Sequence, residues 1–392
     1  SLETDNSFQI LGAYTCLLDS IVQTAFDYSF IDIPLIKERL LEELNHELNY
    51  KQKNLPEKKE KLKLLKEQIL EMEKNLESGS SSSREYRYFQ EVESQHESET
   101  RILEERIDEL QHLIPQIQDF TNDKNFVLNH LVIFARGGYG RAELGLSSDR
   151  DLGYCLDTNR LNNGEAEMLR QLIVHIENLL RNSGVETAHQ YFEIDEDLSR
   201  FDEVNTLHTI PSILESRVLL GSESLATNLK NRFFQVITFE PYVLNLVRSF
   251  SESKEPELNR MDLKMDYGGL RSLQIPLWIT AATFGIFPSQ TADLLAFLIQ
   301  KHLLSHRQAL KLCQALEFLH DLRNFSAVAK DHYFDDEARD IGCVQENLLQ
   351  DQLNDSLERL YLLKKNRFKN VDEFDRFRLQ MMEQIGELSK VI

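Results

Sequence analysis

Residues 134–156 read Phe-Ala-Arg-Gly-Gly-Tyr-Gly-Arg-Ala-Glu-Leu-Gly-Leu-Ser-Ser-Asp-Arg-Asp-Leu-Gly-Tyr-Cys-Leu. An apolar run ends in a double glycine, and an Asp-x-Asp then opens a second apolar run. Successive strand residues point to opposite faces, so Asp149 and Asp151 project the same way while Arg150 points elsewhere. Hard cations such as Mg²⁺ take a few carboxylate oxygens plus substrate phosphates, and two of them roughly 3.5–4 Å apart can clamp the attacking and leaving oxygens. Asp149 and Asp151 are therefore the candidate catalytic and metal-ligating residues, with room for two Mg²⁺ ions. Gly137, Gly138 and Gly140 let the backbone approach a triphosphate closely, with N–H groups turned towards it. Arg141 is placed to neutralise phosphate charge. A Gly-Gly turn by itself is usually only a turn, and an isolated Asp-x-Asp is often solvated surface. Their order and spacing together carry the weight.

Outward from this stretch, strands are expected over 131–135 and 150–156. A helix over 165–182 follows, with Leu169, Leu172, Ile173, Ile176 and Leu180 on its apolar face. Gly184 stops that helix, and 185–194 returns as a third strand. Strand, turn, strand, helix, strand make a small mixed α+β domain over 126–225. Residues 1–125 read as helical: Leu11, Leu17, Leu18, Ile21, Val22, Ala25 and Phe26 recur at helical spacing, and Pro34 marks the next segment. Leu62, Leu65, Ile69, Met72 and Leu76 are spaced three, four, three, four, the seam of a coiled coil. After the Ser/Gly link at 77–83, a similar seam runs through Phe89, Val92, His96, Leu103, Ile107, Leu110 and Ile114, interrupted near Glu99 and Thr100. Two such helices are expected to fold back as an antiparallel coiled-coil hairpin over about 40–118, a docking or homodimerisation arm. Residues 226–392 are again helical, with helices expected over 294–304, 309–322 and 374–392. Gly268 and Gly269 break that rhythm where Lys264 and Arg271 lie, a turn that presents cations.

Residues 137–152 resemble the Gly-Gly/Ser, then Asp-x-Asp, signature of the polymerase-beta-like nucleotidyltransferase superfamily. The fuller string Gly-Gly-Tyr-Gly-Arg-x-Glu-Leu-x-x-x-Ser-Asp-x-Asp-Leu is similar to one branch of it. That branch holds the PII uridylyltransferase, the glutamine synthetase adenylyltransferase and nucleotidyltransferases attached to sensor modules. Residues 213–221 (Ile-Leu-Glu-Ser-Arg-Val-Leu-Leu-Gly) and 262–274 (Asp-Leu-Lys-Met-Asp-Tyr-Gly-Gly-Leu-Arg-Ser-Leu-Gln) resemble two further segments, and 303–324 the helical tail. The resemblance implies a nucleotidyltransferase palm, with Ser148, Lys264 and Arg271 joining the glycine turn and Arg141 around a nucleoside triphosphate substrate. It also implies transfer of a nucleoside monophosphate to a protein acceptor, with pyrophosphate leaving.

The sequence departs from the pattern in places. Ser272 stands where relatives have Asp, Tyr267 where uridylyltransferases have Pro, and Arg150 where an apolar residue is usual. For the third carboxylate of many superfamily members, Glu186 and Glu193 are the nearest candidates. These departures keep a second reading open, a catalytically inactive nucleotide-sensing or scaffold module acting through its coiled coil. A metal-binding His-Asp hydrolase domain, as in the uridylyltransferases, is not expected, because no His-Asp pair in a helical setting is expected before Ile392.

Composition bounds the rest. At 392 residues and 41% hydrophobic, the chain can build real cores. A net charge of −21 argues against a nucleic-acid surface but not against a triphosphate held by Mg²⁺ and a local cation cluster. Cys16, Cys155, Cys313 and Cys343 are too scattered for a metal site or a disulfide framework. No signal-peptide pattern and no run of eighteen apolar residues is seen, so a cytoplasmic setting without membrane partners is expected.

Overall fold

The computed structural model describes residues 7–77, 83–145, 148–194, 209–236, 264, 267–286 and 290–333, with scattered positions within 242–248 and 376–383. The Ser/Gly link at 78–82, Cys343 and most of the helix expected over 374–392 lie outside the described residues. The chain forms two compact units. One draws on residues up to Thr24, on Leu128–Asp157 and on Leu180 onward; the other on Ala25–Val127 and Thr158–Leu179.

In chain order the elements are α1 (Ser7–Ile31), α2 (Ile33–Glu77), α3 (Ser83–Asp119), α4 (Lys124–His130), β1 (Leu131–Ala135), α5 (Gly137–Gly140), β2 (Arg150–Leu156) and α6 (Asn163–Asn182). They continue with β3 (Thr187–Glu193), α7 (Thr209–Leu214), β4 (Arg217–Gly221) and α8 (Glu223–Val236). Last come α9 (Leu270–Phe284), α10 (Thr291–Gln300) and α11 (His306–Tyr333). The described residues are α+β, mostly helical, with one small mixed sheet.

The sheet is ordered β3-β2-β1-β4, with β1 antiparallel to both β2 and β4 and β2 parallel to β3. The fourth strand adds to the three expected from sequence. Its five residues follow directly on the short α7, too brief a run for alternation to stand out. The double glycine is not a bare turn but the single helical turn α5. Gly137 sits at φ +54°, where a side chain would be strained, and a Cβ on Gly140 would come 2.8 Å from the Ala135 carbonyl oxygen and 3.1 Å from that of Glu215.

One sheet face carries Val132 and Phe134 from β1, Cys155 from β2 and Phe192 from β3. These pack with Ile213 of α7, Leu229 and Phe233 of α8, and Ile275 and Trp278 of α9. By strand parity Asp149, Asp151 and Gly153 belong to this same face. The core therefore fills one end of the face and leaves the start of β2 for chemistry. Arg150 points the other way, as its parity requires, its Nη2 donating to the Tyr14 hydroxyl at 2.9 Å. A second cluster joins α9, α10 and α11 through Leu273, Leu277, Leu298, Leu312 and Leu319. Here α10 stops at Gln300, short of the expected Leu304.

In the other unit, α2 and α3 form an antiparallel helical hairpin. Lys37 Nζ donates to the Gln118 carbonyl, Arg106 grips Glu47 at 3.1 Å, Lys58 meets Glu99 at 2.6 Å and Lys66 meets Glu97 at 2.5 Å. Low numbers on one helix meet high numbers on the other. Leu65 and Ile69 of α2 and Ile107, Leu110, Ile114 and Ile117 of α3 are buried. The interruption read at Thr100 is filled, since Thr100 is itself buried and turns its hydroxyl onto the His96 carbonyl at 2.8 Å. In α1, Leu11, Leu18, Val22 and Phe26 are buried, whereas Leu17 is exposed.

Candidate active site

Asp149 and Asp151 open a cavity of about 400 Å³. Its floor is the Gly137–Gly138 start of α5, and its walls come from the beginning of β2, the cavity-facing side of β3, α7, α9 and α11. Gly137, Gly138, Arg141, Ser148, Asp149, Asp151, Lys264 and Arg271 are brought together there. Gly140 is not: it serves the close passage of α5 over β1. Glu186 and Glu193 do not line the cavity either. Glu186 is exposed and Glu193 accepts the Tyr191 hydroxyl at 2.8 Å.

The site is richer in cations than a −21 protein would suggest. Five cationic side chains, Arg136, Arg141, Lys264, Arg271 and Arg323, face three carboxylates, Glu143, Asp149 and Asp151. Two of these charges are already matched. Arg141 Nε donates to Glu143 at 2.8 Å and its Nη1 to Glu215 at 2.8 Å, all three groups being buried, while Glu215 also accepts from Trp278 Nε1 at 2.8 Å. The guanidinium holds Glu143 ionised, below the usual carboxylate range, despite its burial. Arg141 thus lines the cavity but is anchored behind it.

Arg136 lies beside Asp151, whereas Lys264, Arg271 and Arg323 crowd one another. Burial, with the neighbouring charges of Arg141 and Arg323, pulls Arg271 down to about 10, and burial with Arg271 and Arg323 lowers Lys264. Arg271 lies 5.0 Å from the Trp278 ring centre and donates to Gln274 at 3.0 Å, and its buried Nε has no acceptor among the described residues. An anion entering the cavity would offset that mutual repulsion. Asp151 is shifted upward by burial, a shift opposed by Arg136 and reinforced by Asp149.

Carboxylates two residues apart on one strand, beside donors suited to phosphate, fit a hard divalent cation that takes its other ligands from a substrate. The backbone also leaves room for it, because a Cβ on Gly137 would lie 3.1 Å from Asp151 Oδ2. Among the described residues, no three His, Cys, Asp or Glu side chains cluster as a ready-made metal site.

Several lining residues escaped the sequence reading. Arg136 lies directly before the glycines. Gln190 sits two residues before the core Phe192 on β3, and so on the same face. Gln274 and Trp278 follow Arg271 at three and seven, one helix face, and Arg323 follows His320 at three. His320 also forms, with Asp321, a His-Asp pair in a helical setting, which the sequence reading did not expect. It belongs to the cavity wall, where burial lowers the imidazole to about 4 and keeps it neutral. Ser272, standing where relatives have Asp, is buried with its hydroxyl accepting the Gly268 N–H at 2.8 Å, so it secures the Gly268–Gly269 turn.

A family model described as GlnD PII-uridylyltransferase matches residues 248–390. Curated proteins named bifunctional uridylyltransferase/uridylyl-removing enzyme also match. The one from Zymomonas mobilis is 30% identical over 165 residues, 40% of this chain and 17% of that protein. That from Ectopseudomonas mendocina is 30% identical over 206 residues, 49% of this chain and 21% of that protein. That from Rhodospirillum rubrum is 24% identical over 274 residues, 67% of this chain and 26% of that protein. The chain therefore spans between 17% and 26% of the length of these relatives. No helix among the described residues is long and apolar enough to cross a membrane.

Proposed function

From a chain related to the PII uridylyltransferase branch of the nucleotidyltransferases, we propose a metal-dependent transferase that moves a nucleoside monophosphate from its triphosphate to a protein acceptor and releases pyrophosphate. The observation that carries this reading is the convergence of Asp149 and Asp151 with a surplus of cations over the glycine-floored cavity. The sensing or scaffold alternative is not favoured, since the matched relatives are named as transferases.

The residues divide the work. Gly137 and Gly138 admit the phosphate chain against the backbone, where the first N–H groups of a helix have no partner inside it. Lys264, Arg271 and Arg323 neutralise the triphosphate, and Ser148 adds a hydroxyl beside Asp149. Asp149 and Asp151 would hold Mg²⁺, which when bound supplies charge neutralisation to the α-phosphate and the leaving pyrophosphate. The chain's own contribution is positioning and a fixed field of cations. His320, neutral at pH 7, bounds the cavity without adding to its charge.

Calorimetric titration with each nucleoside triphosphate, with and without Mg²⁺, tests the reading. Tight binding of at least one of them that requires the cation is expected. Failure of every triphosphate to bind would refute it.

A further inference from the structure

Arg136 is 7% exposed, and its guanidinium is fixed on three sides. Nε donates to the Leu152 carbonyl at 3.2 Å, Nη1 donates to Gln190 Oε1 at 2.7 Å, and Nη2 lies 3.8 Å from Asp151 Oδ1. The backbone holds the same register, with the Arg136 N–H donating to the Asp151 carbonyl at 2.9 Å. One oxygen of Asp151 therefore faces a built-in cation, while the other, Oδ2, faces the Gly137 turn. Among the described residues, the part of β3 that lines the cavity offers no further carboxylate to share a second ion: its lining residue is the amide Gln190, which pairs opposite Gly153. That amide is turned onto Arg136.

A pair of divalent ions needs anionic oxygens on both sides, and a fixed guanidinium beside Asp151 repels a dication brought to that flank. We propose that Arg136, oriented by Gln190, takes the place of a second divalent cation at Asp151, so that the nucleotide binds with a single metal ion. This rests on the nucleotide reading above and narrows it. Arg136 is a positioning residue: it sets how Asp151 is used and is not asked to touch the reacting atoms.

The test is metal stoichiometry. Mn²⁺ retained by the full chain, saturated with a non-hydrolysable α,β-methylene nucleoside triphosphate, is counted by electron paramagnetic resonance, with far-UV circular dichroism checking each variant's fold. One Mn²⁺ per nucleotide-bound chain is expected for the wild type and for Arg136→Lys. Two are expected for Arg136→Gln, where the repelling charge is gone. Two ions of similar affinity on the wild type would overturn the proposal while leaving the nucleotide reading intact, and that count stands even if Arg136→Gln does not fold. A folded Arg136→Gln that still holds one ion would overturn it as well. Absence of nucleotide binding would remove the parent reading and this proposal together.

Discussion

Arg141, Lys264, Asp151 and His320 line one cavity but answer to different forces. Arg141 is committed to Glu143 and Glu215, so Arg141→Ala strands two buried carboxylates and should cost about 3–5 kcal/mol of folding stability. Denaturant unfolding measures this, and a loss under about 1 kcal/mol would show that the triad is not buried as a unit. Lys264→Ala should weaken nucleotide binding by about 1.5–3 kcal/mol, the range for a hydrogen bond to a charged group; unchanged affinity would place its ammonium away from the phosphates. Asp151 has a raised folded pKa, so its ionised form is disfavoured by folding. Asp151→Asn should therefore stabilise the metal-free protein at pH 7, with the gain fading as the pH falls through and below the ordinary carboxylate range. A less stable Asn variant would mean that the Arg136 contact outweighs burial. His320 works with the opposite sign. Its folded pKa is about 4, below its ordinary value of 6.5, so its contribution is complete above pH 6.5 and is lost as the pH falls towards 4. That loss is of order 3 kcal/mol, and His320→Gln should flatten this part of the pH–stability curve.

Among the elements, β2 joins the site to the core. Asp149, Asp151, Gly153 and Cys155 share one face by strand parity, and that face passes from carboxylates to core within seven residues. Gly153 is the hinge of that change, because a Cβ there would meet the Phe134 ring at 2.2 Å. Gly153→Ala should cost about 1–3 kcal/mol as an overpacked site, read as a lowered melting temperature. β1 and β2 were legible as short apolar runs, and α6 because its apolar residues recur at three and four. β4 was not, being five half-buried residues behind a one-turn helix. Arg136 and Gln190 were hidden for another reason: Arg136 sits between β1 and the glycines as the N-cap of α5, and Gln190 is a polar residue of the half-exposed β3 that pairs opposite Gly153, two residues past Asp151. His320 and Arg323 were masked by the apolar stripe of α11 that surrounds them.

For the molecule as a whole, the sign of the charge divides the surface from the site. The chain carries a net charge of −21, while among the described residues five cationic side chains line the cavity. The hairpin contributes differently: its exposed ion pairs add little stability but fix the register of α2 on α3. Deleting residues 62–107 with a short Gly/Ser bridge should leave nucleotide binding near normal and impair acceptor recognition or self-association, and lost nucleotide binding would sink that idea. The central claim is tested most directly by incubating the protein with an α-³²P-labelled nucleoside triphosphate, Mg²⁺ and a cell extract of its source organism, then separating the proteins. The account predicts label on a discrete acceptor protein, absent when Asp149→Asn and Asp151→Asn are combined. Equal labelling by that double variant, or no labelling with any of the four triphosphates, would contradict it.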